Sequence, residues 1–170
     1  MMDMEFKNMS NLLVVKDKVQ RWAREVYDDV RIDGDGDIVI PFDDTSVWIR
    51  VWERTFDSAD QEKFFEDNQL AKVRINVWSY VLVNVSGSEA LYKWVAIDGQ
   101  DAIVGHFMLV PEDEAGSSYR IVFADQIPGD ALDPGELKEA LLAVVSTTGD
   151  AIEMLKPMFG GKTFMEAMSQ

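Results

Sequence analysis

The chain has 170 residues, 47% hydrophobic and 11% aromatic, enough for one folded domain with a sizeable core. Its 31 acids against 16 bases give a net charge of −15, which repels phosphate backbones and anionic lipid surfaces and argues against nucleic-acid and membrane partners. There is no cysteine and one histidine, His106, so disulfides, thiolate chemistry and a typical multi-histidine zinc site are excluded.

Taken in chain order, Ser10 is placed to cap a first helix. Leu12, Val15, Val19, Trp22 and Val26 recur at spacings of 3 and 4, the stripe of an amphipathic helix. Lys16, Lys18, Arg21 and Arg24 lie off the stripe and give that helix a basic, solvated outer face. Asp33-Gly34-Asp35-Gly36-Asp37 is turn chemistry. Ile38–Pro41 then reads as a short strand stopped by its proline.

Thr45 to Phe56 alternates Val47, Ile49 and Val51 against Trp48, Arg50, Trp52 and Arg54, the period of a strand. Leu70 to Val85 is a longer strand, with Val73, Ile75 and Val77 on one side, Ser79 as the lapse, and Arg74, Asn76, Trp78 and Tyr80 on the other. The acidic segment from Asp57 to Gln69 carries Phe64-Phe65 and reads as a long, mobile connection, in which Ser58 and Gln61 offer a capping box for one short helix.

Ser88 opens a second short helix with Leu91, Trp94 and Val95, ended by Asp98-Gly99. Ala102 to Val110 and Tyr119 to Ile127 are the last two strands, joined by the acidic turn from Glu112 to Gly116. Asp133-Pro134 begins the final helix, with Asp as cap and Pro in the first turn. Leu137, Leu141, Val144, Val145, Thr148, Ile152 and Leu155 form its stripe; Gly149 is a candidate bend, and Pro157 with Gly160-Gly161 is the expected stop. Phe159 is placed to fold back on that stripe. The pattern has no internal repeat and no dividing linker, so one domain over residues 1–170 is expected, ordered from about 10 to 165.

Sequential strands usually pair, so the second and third strands are expected to present two unlike faces. One is nearly pure Val and Ile and calls for the helix stripes. The other combines Trp48, Arg50, Trp52, Arg74, Trp78 and Tyr80, the composition of an interaction surface. The competing reading is structural: these side chains pack under the second helix or simply pair across strands.

Chemical motifs are weak. Asp33, Asp35 and Asp37 have the spacing of the first three ligands of a calcium loop, but Ile38 stands where that loop needs Gly and Asp44 where it needs Glu. Gly161-Lys162-Thr163 echoes a phosphate-binding loop, yet Lys156 replaces the required earlier glycine and no strand precedes it. His106, in mid-strand beside Val104 and Met108, reads as a packed residue. Acid pairs such as Asp28-Asp29 and Asp43-Asp44 fall in turns, away from the contrasting buried environments that acid–base catalysis needs. No nucleophile elbow or dinucleotide fingerprint occurs. Neither a catalytic group, a cofactor nor a metal site is expected.

The element order α-β-β-β-α-β-β-α resembles that of the type III secretion chaperone-like fold, including the YbjN family. Asp35-Gly36-Asp37-Ile38, Val47-Trp48-Ile49-Arg50-Val51, the run from Gly129 to Leu137 and Phe159-Gly160-Gly161 are similar to actinobacterial members of that group, over roughly Leu12 to Phe164. The resemblance implies a small, acidic, cytoplasmic homodimer of bacterial type that holds a client segment and catalyses nothing; its YbjN side implies a sensory-transduction regulator.

Together these readings predict an α+β domain, one antiparallel five-stranded sheet with helices on its Val/Ile face. They predict a client protein or peptide held by Trp48, Arg50, Trp52, Arg74, Trp78 and Tyr80, or by an open sheet edge. A cytoplasmic location follows from the lack of any apolar run near the roughly 20 residues of a membrane span and of a signal-peptide pattern in Met1 to Lys7. Two alternatives stand beside this reading: a regulator that uses the aromatic face only to dimerise, and, more remotely, a metal-dependent enzyme working through aspartates.

Overall fold

The computed structural model describes residues 11–130 and 132–169. The expected Ser10 cap lies outside them. In chain order the elements are α1 (Asn11–Val26), β1 (Arg31–Ile32), β2 (Ile38–Pro41), β3 (Ser46–Glu53), α2 (Ala59–Asp67), β4 (Val73–Ser86), α3 (Glu89–Ala96), β5 (His106–Pro111), β6 (Ser118–Pro128), α4 (Pro134–Phe159) and α5 (Phe164–Met168).

The strands form one sheet of six, in the order β1-β2-β3-β4-β6-β5, with each neighbouring pair antiparallel. The expected five-stranded sheet is therefore corrected. The extra strand, β1, is two residues long and sets Arg31 opposite Val39 and Ile32 opposite Ile38. Two residues carry no alternation, so the strand exists only through its partner. The chain then turns at Gly36, whose φ of 82° suits glycine, while Asp33 Oδ1 accepts hydrogen bonds from the amides of Asp35 and Asp37.

The Val/Ile face is the packed one. Ile75 and Val77 of β4, with Val47 and Ile49 of β3, are almost wholly buried and share a core with Val15 and Val19 of α1 and Leu137, Leu141, Val144 and Leu155 of α4. Leu91 and Trp94 of α3 join from the β5 side, where Trp94 meets Phe107 edge to face. Ser79, the lapse in that face, is buried, and its hydroxyl donates to the Ser46 carbonyl at 2.8 Å and lies within hydrogen-bond distance of Thr45 Oγ1 at 2.9 Å. The polar residue thereby ties the start of β3 to β4.

Other expectations are refined. The segment from Asp57 to Gln69 contains the nine-residue α2, with Ser58 Oγ accepting from the Gln61 amide. The strand expected from Ala102 begins only at His106, because a 3-10 turn over Asp98–Asp101 precedes it and leaves Ile103 fully exposed. Helix α4 starts at the expected Asp133 cap, completed by Glu136, and runs unbroken through Gly149 and Pro157 to Phe159. The chain continues past Gly161-Lys162-Thr163 into α5, which Thr163 caps. Among the described residues no helix is long and apolar enough to cross a membrane.

Candidate functional site on the open sheet face

Alternation places all six expected residues on the sheet face opposite the core. Trp48 faces Trp78 across the β3–β4 ladder, Arg50 faces Asn76, and Trp52 faces Arg74. None of the residues of α2 or α5 is buried, and the core draws its helical side chains from α1, α3 and α4. This second face thus has no buried helical layer, although α5 crosses one corner and α2 stands at the other end, where the Arg54 guanidinium lies over the Phe65 ring at 5.0 Å and Lys72 pairs with Glu62 and Glu66. The reading in which the second predicted helix covers the tryptophans is not what the structure has: α3 lies on the other side.

The six residues differ in how much of them remains available. Trp48 is only 9% exposed, because Phe164 of α5 stands edge-on to its ring at 4.9 Å and Tyr80 does the same at 4.8 Å. Trp78 lies nearly parallel to Trp48 and is half-buried, with the Arg50 guanidinium over its ring at 5.5 Å. Arg50 is engaged internally: its Nε donates to Asp37 Oδ1 at 2.8 Å and its Nη2 to Oδ2 at 2.5 Å. That hydrogen bond to a carboxylate, more than any other influence, raises the Arg50 pKa. Trp52 Nε1 donates to Asn76 Oδ1 at 3.3 Å, and Gln126 Nε2 donates to the same oxygen at 2.8 Å. Arg74 is half-buried, and its Nε has no hydrogen-bond partner.

The Asp-Gly turn explains the fate of the calcium-like aspartates. Asp33 closes the turn through backbone amides, and Asp37, 4% exposed, is held by Arg50. His106 stands exposed at the first position of β5.

Four residues that sequence reasoning did not single out complete the surface. The order β4-β6-β5 sets Val122 opposite Tyr80, Ala124 opposite Trp78, and Met108 opposite Val122. Together with Val110 they extend the face into a shallow groove, lined also by Arg50, Asn76, Trp78 and Tyr80. Their common parity was readable in the sequence; which of the last two strands neighbours β4 was not, since the α3 connection permits either. Arg120 borders the groove, its guanidinium 5.5 Å from the Tyr80 ring and its Nε donating to Glu112 Oε1 at 3.0 Å.

No protein-family model matches the chain, and no curated protein does. Solved structures share its fold, two of them at TM-scores just above 0.5. One, from the structure of the ExsC–ExsE complex, has a TM-score of 0.51 and 16% identity, covering 89% of this chain and 97% of that one. The other, from the HopA1–SchA chaperone–effector complex, has a TM-score of 0.52 and 15% identity, covering 86% of this chain and 98% of that one. The likeness is one of fold: a mixed α/β chain with an antiparallel sheet, of the kind seen in a chaperone–effector complex.

Proposed function

We propose that this chain is a non-enzymatic, chaperone-like module that binds a segment of a client protein on the open face of its sheet. The observation that carries the reading is the groove itself. It is an apolar floor of Met108, Val110, Val122 and Ala124 beside Trp78 and Tyr80, on a face that no buried helical layer covers. Apolar client side chains would be buried against those rings and aliphatic groups, the use to which interfaces put large aromatics. Arg74, whose Nε is buried and unbonded, would meet a client acid through its terminal nitrogens, whereas Arg50 already holds Asp37. The same reading makes the chain a cytoplasmic homodimer of the YbjN kind. Its net charge of −15 and the turn-and-cap run from Gly129 to Leu137 are the features that favour this kinship.

Affinity capture of the tagged protein from its own cell extract, with the Trp78→Ala, Met108→Ser double variant in parallel, tests the proposal. A near-stoichiometric partner that the variant loses is the expected result. A partner retained in full by a folded variant would move the site elsewhere. Recovery of the protein alone would favour a regulator that only self-associates.

A further inference from the structure

The C-terminal segment crosses from the helical side of the molecule to the open face. Helix α4 gives way to Gly160 and Gly161, with φ of 70° and 84°. A Cβ on Gly161 would lie 2.7 Å from Val85 Cγ2 and 2.8 Å from the Val83 carbonyl oxygen, so only glycine lets the chain pass this close to β4. Pairing between β3 and β4 ends at Ser79. Beyond it, Val83 forms an antiparallel bridge with Lys162, each amide donating to the other's carbonyl at 2.9 Å. Two residues later Phe164 lies on Tyr80, rings nearly parallel at 5.5 Å, and edge-on to Trp48.

Apart from Thr163, which is buried, the rest of the attachment is slight. Helix α5 is five residues long and buries none of them, and its exposed Glu166 carboxylate meets Lys156 Nζ at 2.6 Å. Main-chain pairing along a strand plus one side chain seated in an aromatic site is the pattern by which sheets recognise extended peptides.

We propose that the segment from Gly161 to Phe164 is a built-in ligand: it occupies a site made for an extended client segment, one whose backbone pairs with Val83 and whose aromatic side chain two residues on rests against Trp48 and Tyr80. Such a client binds by displacing the strap, and the strap keeps the site closed in its absence. The proposal rests on the client-binding reading and adds to it where the client enters and what side chain it must carry.

The probe is a fluorescein-labelled synthetic peptide with the sequence of residues 160–169, added to the full-length protein and followed by anisotropy. Phe164→Ala vacates the aromatic site, so the peptide is expected to bind that variant at least tenfold more tightly than the unaltered protein, and a peptide carrying the same Phe164→Ala change is expected to bind neither. Equal affinity of the peptide for both proteins would overturn the proposal. Should Phe164→Ala fail to fold, Lys156→Gln with Glu166→Gln loosens the strap from its outer side and is expected to raise peptide affinity about threefold; no change there would count equally against it. In the cell-extract capture, a partner recovered equally by Phe164→Ala and the unaltered protein would remove the strap's regulatory role while leaving the client-binding module in place. Capture of nothing, together with tight peptide binding, would keep the site and remove the natural client.

Discussion

The two faces of the sheet are made from alternate residues of the same strands, yet they do different work. On one face Val47, Ile49, Ile75 and Val77 lie almost wholly out of water under α1 and α4. On the other, Arg50, Trp52, Trp78 and Tyr80 stay partly exposed and are held by ring and cation–π contacts, by Phe164 and by polar partners such as Asp37 and Asn76. The contrast teaches that the fold draws its stability mainly from one side and leaves large aromatic and charged side chains of the other partly in water.

The largest effect that could break this division is on the covered face. Leu141→Ala removes a fully buried side chain from beneath the sheet and should cost about 2–5 kcal/mol, a drop in Tm on the order of 10 °C. Trp78→Ala, though it deletes a larger side chain, should cost less, about 1–3 kcal/mol, because only part of that side chain is out of water and the rest of the loss is one near-parallel ring contact and one cation–π contact. Urea denaturation of both variants measures the difference. Equal losses would mean that the open face is a second core and not a binding surface.

The Asp37–Arg50 pair tests the boundary between the faces. Asp37 is buried while Arg50 is about half exposed, so Arg50→Ala strands a carboxylate that water reaches poorly. The expected loss is about 1–2 kcal/mol, smaller than for a pair buried on both sides. Asp37→Asn together with Arg50→Ala should recover part of it, since the stranded charge is then gone. A double-mutant cycle by denaturant unfolding gives the coupling directly.

These unequal faces also explain what was readable from the chain alone. The α1 and α4 stripes, the Val/Ile alternation and the Asp133-Pro134 cap carry strong local signals, and the structure has each of them in place. The two elements that local pattern did not reveal, β1 and α5, are two and five residues long. Neither has room for a period; one forms because β2 pairs with it and the other because the Gly160-Gly161 turn delivers it to the sheet. The composition of the candidate site was legible, and its availability was not. Nothing local to Trp48 announces that Phe164, far along the sequence, closes over it. Nor did the strand pattern say that β6 rather than β5 lies beside β4, which is what brings Val122 and Ala124 to Trp78 and Tyr80.

The smallest expected effect concerns the hairpin that carries the groove's far wall. Glu112 Oε2 accepts from the Asn84 amide and from Ser118 Oγ, both at 2.8 Å, and Oε1 accepts from Arg120. Burial alone would raise this carboxyl, but the hydrogen bonds from Ser118, Arg120 and the Asn84 amide outweigh it and hold the group below its ordinary pKa. The unfolded chain therefore binds the proton more readily, so the contribution of Glu112 is complete above the ordinary carboxylate value and disappears as pH falls through the lowered folded value. Because Arg120 is about two-fifths exposed, the contribution should stay under about 1 kcal/mol. Stability against pH for the unaltered protein and Glu112→Gln should show two curves separated near neutrality and converging in acid. Asn84 sits at a φ of 56°, where β4 breaks register with β6, and Arg120 reaches from the same carboxylate to the Tyr80 ring. A gap that persists unchanged into acid would mean that Glu112 holds this corner by shape and hydrogen bonding, and that its charge contributes nothing to the open face.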